Sequence, residues 1–265
     1  MIHEIQAKTV LQKSKLPESS HCLNPYVGCL HNCVYCYARF MRRFTGHSEP
    51  WGSFVDVKVN TPEILAQQLK RTKVDGSVLL GSVCDAYQPI EKRYGLTRAC
   101  IRQLAEHNVS FSVLTKSSLV LRDLDIIKDA GKNVSIGISL SMLDDSIRQK
   151  FEPGASSVRQ RLKTLEELYK NNISTYVFIG PILPYITDVK AIVEATSPFV
   201  DAVWAESLNM RCGIREKLSE KYALCKLLVD WQTPVCDKNY WSNMAHKVEQ
   251  ACHQANCELI GFYKH

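Results

Sequence analysis

Residues 77–83 read SVLLGSV, with Val78, Leu79 and Leu80 in an unbroken apolar run between Ser77 and Gly81. A surface helix would interrupt such a run with charge every few positions, whereas a strand under a covering layer need not. The same texture returns at residues 110–114 (SFSVL), 134–140 (VSIGISL), 173–179 (ISTYVFI) and 201–205 (DAVWA). Near-continuous apolar runs, rather than strict alternation, predict a parallel sheet covered on its outer face.

Helical signals fill the gaps. Thr61, Pro62 and Glu63 supply a cap, a proline at the first helical position and an acid in the first turn, predicting a helix to about Arg71. A second helix opens at Thr97, with Ile101, Leu104 and Ala105 on one face. Residues 122–130 predict a third, ending at Gly131, and residues 157–170 a fourth. Thr187 and Asp188 open a fifth that stops before Pro198. Strand alternating with helix implies βαβ units, and one more strand just before a cysteine-rich stretch would make about six. The expected fold class is α/β, an open, partial (β/α)6 barrel, with chemistry at the C-terminal ends of its strands. After Asn209 the pattern changes to helices at 214–230 and 240–255 and a short strand at 258–263, a tail expected to close the open side or meet substrate.

Composition sets outer limits. The 265 residues suit one large domain with a short extension, and 45% hydrophobic residues suffice for a core. Thirty-three Lys and Arg against 27 Asp and Glu give +6, which permits a polyanionic partner without demanding one. No run of five or six like charges forms a nucleic-acid-binding tail. The first fifteen residues lack the apolar stretch of a signal peptide, and no apolar run approaches the ~20 residues that span a bilayer. The expectation is a cytoplasmic protein with no membrane partner, in which eleven cysteines are not a disulfide framework.

Cys29, Cys33 and Cys36 alone have ligand-like spacing, C-x3-C-x2-C. Three thiolates so placed can hold one [4Fe–4S] cluster from a single loop and leave its fourth iron open. The competing reading is zinc, with His31 or His21 as a fourth ligand. Cys212, Cys225, Cys236, Cys252 and Cys257 show no such spacing and read as structural thiols rather than a second cluster.

The triplet with Tyr35 just before its last cysteine resembles the signature of the radical S-adenosylmethionine (SAM) superfamily. The flanks Asn24-Pro25-Tyr26-Val27-Gly28-Cys29 and Tyr35-Cys36-Tyr37-Ala38-Arg39 resemble its spore photoproduct lyase-like branch. Residues 81–91 (GSVCDAYQPIE), 114–117 (LTKS), 122–123 (RD), 151–154 (FEPG) and 181–184 (PILP) agree in the expected order, covering roughly 20–210.

The resemblance implies an N-terminal segment (1–18), a partial-barrel core (19–210) and a C-terminal extension (211–265). It implies a [4Fe–4S] cluster and SAM as cofactors, the latter cleaved reductively to a 5′-deoxyadenosyl radical. It also implies a one-electron donor such as flavodoxin or ferredoxin. Tyr37 matches an adenine contact, Lys116 a carboxylate or ribose partner and Ser139 a further SAM contact. Asp85, with Glu91 behind it, lies where an acid meets the methionyl amino group. Glu152 reads as a mouth residue or a helix-end charge, and Trp204, Glu206 and Asn209 as substrate contacts.

The lyase family keeps a hydrogen-donor cysteine where this chain has Ser82. In a continuing strand Cys84 would face the same side and could act as a relocated donor. The expected activity is lyase-like radical chemistry, on a nucleic-acid lesion or on a peptide or small molecule; a third reading, a non-catalytic iron–sulfur or zinc binding module, is opposed by Lys116, Asp85 and Ser139 beside the triplet.

Overall fold

The computed structural model describes residues 1–16, 18–211, 213–227 and 229–265. Its strands are β1 (Ile2–Ile5), β2 (Leu11–Lys13), β3 (His21–Leu23), β4 (Tyr26–Val27), β5 (Val55–Lys58) and β6 (Val78–Leu80), then β7 (Phe111–Thr115), β8 (Val134–Ser139), β9 (Ser174–Ile182), β10 (Ala202–Ser207) and β11 (Glu258–Tyr263). The main sheet has the order β11-β10-β9-β8-β7-β6-β3-β2. Neighbours from β3 to β11 pair in parallel, and only β2 runs antiparallel, at one edge. The expected strand before the cysteines is β3. The tail adds β11 beside β10 as a further parallel strand.

One face of the sheet meets the helices. Val113, Ile136, Ile138, Val177, Ile179 and Val203 on that face are wholly buried, each stabilising the fold by roughly 1.5–3 kcal/mol relative to exposure. The other face differs from expectation. In β7, β9 and β10 buried residues alternate with half-exposed ones, because the inner face lines a cavity rather than a packed core. Ser112, Ser135, Tyr176, Phe178 and Trp204 point into it.

Two helix boundaries also shift. Residues 118–123 form a 3-10 turn and the α-helix spans only Leu124–Asp129. Arg122 and the buried Asp123 are held there by ion pairs, Arg122 to Glu91 and to Asp123, and Asp123 to Arg98. In the tail the first helix is Arg215–Leu224, closed by Lys226 at φ 57°, a short helix Gln232–Cys236 follows, and the long one is Lys238–Gln254.

A small sheet, β1-β5-β4, stands beside the barrel. It matters because β4 leads directly into the cysteine loop, and a 3-10 helix, Tyr37–Phe44, leads out of it. Among the described residues no helix is long and apolar enough to cross a membrane.

Candidate functional site

The cysteine loop is held by backbone contacts from three directions. Gly28, at φ 91°, passes so close to Phe54 that a Cβ would lie 2.4 Å from its carbonyl oxygen. Gln88, fully buried, accepts from the Leu30 N–H at 2.9 Å and donates to the Gly28 carbonyl at 3.0 Å. On the far side Val34 N–H donates to the Phe151 carbonyl and Gly154 N–H to the His31 carbonyl. A Cβ on Gly154 would lie 2.2 Å from the Leu30 oxygen. The 81–91 and 151–154 segments thus act through the cysteine loop, which they clamp.

Cys29 and Cys33 are buried and Cys36 nearly so. Burial pushes all three thiols above the ordinary value. Around them are N–H groups, the Asp85 amide near Cys29 and the Ala38 amide near Cys36, while the buried Trp51 indole N–H has no hydrogen-bond partner among the described residues. Among the described residues, the three sulfurs do not all lie within 4.8 Å of one another. Tetrahedral zinc, with Zn–S of ~2.3 Å, would need them about 3.8 Å apart. The three sulfurs are not drawn together as a single tetrahedral ion would hold them. His21 sits on β3 and bonds Ser20, and His31 turns its Nδ1 to Asp85 at 3.2 Å.

Lys116 and Ser139 come together at adjacent strand ends. Lys116 Nζ donates to Ser139 Oγ at 2.8 Å and lies 5.7 Å from the centre of the Tyr35 ring. Beneath them is a buried network unread in the sequence. Glu152 accepts from Tyr35 and pairs with Arg161, which also donates to the Ser139 carbonyl at 2.8 Å. Glu152 caps the end of the helix Asp145–Phe151, as one of the two readings expects, but its carboxylate is buried in an ion pair and does not line the cavity. Arg161 lies on the predicted helix Val158–Lys170, whose amphipathic pattern gave no sign that an arginine would turn inward.

One Asp85 oxygen accepts from Tyr87 N–H at 2.8 Å and Thr115 Oγ1 at 2.7 Å, the other from Lys116 N–H at 2.8 Å, with His31 at 3.2 Å. Burial pushes its pKa up, but His31 and these donors outweigh it and hold the carboxyl at about 2. With both oxygens engaged, Asp85 joins the cysteine loop to β7 while lining the cavity beside Lys116. Glu91, fully buried, caps the helix Leu96–Glu106 through Thr97 N–H and binds Tyr26 and Arg122.

Strand β6 stops at Leu80, and Gly81 follows at φ 87°. The two-residue periodicity that would align Ser82 with Cys84 therefore does not hold. Both still line the cavity. Asn24 ties them, donating to Ser82 Oγ at 2.9 Å and accepting from Cys84 Sγ at 3.6 Å. Tyr37, on the exposed side of the loop, donates to the Ser82 carbonyl.

One cavity of about 830 Å³ joins these groups: the three cysteines, Tyr37, Ser82, Cys84, Lys116 and Ser139, with Trp204, Glu206 and Asn209 farther along. Tyr263, from the tail, stacks on Trp204 at 5.2 Å and 8°. Cys212 lies outside the described residues. Cys225, Cys236, Cys252 and Cys257 are in or beside the tail helices and do not line the cavity.

The family model for the radical SAM superfamily matches residues 23–194. This chain belongs to the radical SAM superfamily. Its cofactors are therefore a [4Fe–4S] cluster and SAM. An uncharacterized protein of Methanocaldococcus jannaschii is 37% identical over 80% of this chain and 79% of its own length. An uncharacterized protein of Mycobacterium tuberculosis is 32% identical over 70% of this chain, which spans only 57% of that relative. The radical SAM Nalpha-GlyT isomerase of Pseudomonas phage M6 is 25% identical over 61% of this chain and 33% of its own length.

Among solved structures, a spore photoproduct lyase variant superposes with a TM-score of 0.77 at 16% identity, over 98% of this chain and 82% of that one. Another, with bound AdoMet and dinucleoside spore photoproduct, gives 0.73 at 16%, over 99% and 80%. The radical SAM fold thus extends beyond the matched segment to nearly the whole chain.

Proposed function

We propose that this radical SAM enzyme holds its cluster on Cys29, Cys33 and Cys36, binds SAM beside Lys116, Ser139 and Tyr37, and performs lyase-like chemistry on a nucleobase lesion in nucleic acid. The observation that carries this reading is the single cavity in which the cysteines and the Lys116–Ser139 pair share one space with the stacked Trp204 and Tyr263. When bound, the cluster and SAM supply a 5′-deoxyadenosyl radical for hydrogen abstraction. The chain's own part is positional. Lys116 offers charge to a carboxylate, the barrel walls exclude water, and the aromatic pair offers a face on which a base can stack. Cys84 is the candidate thiol for returning a hydrogen atom. Electrons would come from a flavodoxin or ferredoxin, in the cytoplasm. The fold likeness to spore photoproduct lyase supports the substrate class.

A second reading, a peptide or other small substrate, is favoured by the cavity's charge. Lys116, Lys132 and Lys264 are matched by Glu18, Asp201, Glu206 and Glu258, so the lining is not the basic groove that a polyanion favours. Anaerobic reconstitution with SAM and a reductant decides between the two. Release of 5′-deoxyadenosine is measured with a spore-photoproduct dinucleoside, a thymidine-rich oligonucleotide and a peptide mixture. Stimulation by the nucleotides alone supports the first reading, and stimulation by peptides alone replaces it with the second.

A further inference from the structure

Away from the cavity, the small sheet gathers His3, His47 and Glu49, whose ligand atoms all lie within 4.8 Å of one another. His3 comes from β1, where Asp56 of β5 is its register partner. His47 and Glu49 come from the loop between the Tyr37–Phe44 helix and β5. His47 Nε2 is 2.8 Å from Asp56 Oδ1, and the ring stacks on Phe54 with centroids 4.0 Å apart. Asp56 is buried, so this bond orients the ring and turns its Nδ1 toward Glu49.

His47 Nδ1 lies 3.3 Å from Glu49 Oε2, a contact that takes either a proton or a cation between the two. Beside it, the ring of His3 lies 4.9 Å away, and its Nε2 is buried with no hydrogen-bond partner. A buried, unpartnered ring nitrogen is costly. Protonating His47 would satisfy Glu49 and still leave His3 Nε2 without a partner. One cation between the three satisfies them all.

We propose that His3, His47 and Glu49 form a binding site for a first-row divalent cation of the Zn²⁺ class, with Asp56 orienting His47. Two imidazole nitrogens and one carboxylate are a ligand set for such ions, with a fourth position open to solvent. Asp56 supplies the carboxylate–histidine support that metal-binding imidazoles have. The cavity of about 410 Å³ that His3, His47 and Asp56 help to line gives an ion an entry path.

Position suggests what the ion does. It would pin β1 to the 45–54 loop, and that loop carries Trp51, which belongs to the same buried cluster as Cys29. The ion would act as a latch on the wall of the cluster loop, separate from the cluster itself.

The test uses the anaerobically reconstituted holoenzyme. Zinc is titrated against a chromophoric chelator, and metal content and zinc X-ray absorption are measured on the product. The expected result is one zinc per chain beside an unchanged iron content, with nitrogen and oxygen ligands only. His3→Gln removes a ring that makes no hydrogen bond through Nε2, so the fold survives it, and zinc affinity should fall at least tenfold. Asp56→Asn keeps all three ligands and should weaken binding by about 10–100-fold. Zinc with sulfur ligands, no stoichiometric zinc, or equal affinity in His3→Gln would each overturn the proposal.

Discussion

Lys116 meets Ser139 Oγ through its ammonium and has the Tyr35 ring beneath it, so the charge is placed before any ligand arrives. Lys116→Ala should weaken SAM binding by ~1–3 kcal/mol, the range for a lost charge-assisted bond, while iron content stays at the wild-type value. Equilibrium binding of SAM to the reconstituted variant checks this, and unchanged affinity would remove Lys116 from the SAM site. Cys84 offers a contrasting case. Its thiol is buried against Asn24 and burial pushes its pKa to about 12, so it keeps its S–H hydrogen atom but has little exposure. If Cys84 returns the hydrogen atom, Cys84→Ala should leave 5′-deoxyadenosine release intact and abolish repaired product; a full product yield would retire the idea.

At this scale the sequence located residues better than it assigned their work. Lys116 and Ser139 were named and do meet. Asp85 was named in the right place, but whether a carboxylate is free or already engaged depends on Thr115 and His31, and no spacing rule reports that. Glu152 and Arg161 form one buried pair from two separate segments, a long-range fact invisible to local pattern.

Among the elements, the segment after the helix Asp145–Phe151 does the most for the site, because its turn supports the cysteine loop. Gly154 is there to let two backbones touch. Gly154→Ala places a methyl 2.2 Å from the Leu30 oxygen, so the loop must move, and the variant should reconstitute with clearly less than wild-type iron while its circular dichroism is retained. Iron and protein assays on the same sample check it. Gln88→Ala should act through the other clamp. It strands the Leu30 N–H and the Gly28 carbonyl, at about 1–3 kcal/mol each where water cannot reach, and denaturant unfolding of the unreconstituted protein measures the loss.

The strands themselves were legible, since β6 to β10 fall where the apolar runs predicted. Their two faces were not told apart. Serines and aromatics inside apolar runs look like tolerated core, and only the curl of the sheet shows that they line a cavity. Helix starts moved where ion pairs, as at Arg122 and Asp123, override local propensity.

Across the whole molecule, the tail completes the wall of the cavity. Strand β11 pairs with β10 in parallel, its register shifting between Val203 and Trp204, and Tyr263 stacks on Trp204 across the pair. This gives a way to separate substrate binding from SAM chemistry, because the aromatic pair and the Lys116–Ser139 pair belong to different strands of one cavity. A base stacked on an aromatic side chain contributes ~1–3 kcal/mol, largely regardless of its identity. Trp204→Ala should therefore weaken binding of a dinucleoside substrate by that amount, with SAM affinity and iron content unchanged. The Tyr263→Ala variant should show a smaller loss, because the indole remains. Phosphate contacts would add a steep dependence on salt, but the lining has more carboxylates than lysines, so affinity should change little between low and moderate ionic strength. Fluorescence titration at two salt concentrations reads both effects together. A large Trp204 effect with a flat salt response indicates a base or small ring held by stacking alone. A steep salt response would instead place a polyanionic strand in contact with the chain. If Trp204→Ala leaves binding unchanged, the aromatic pair is packing between β10 and β11 and the nucleobase reading loses its structural support.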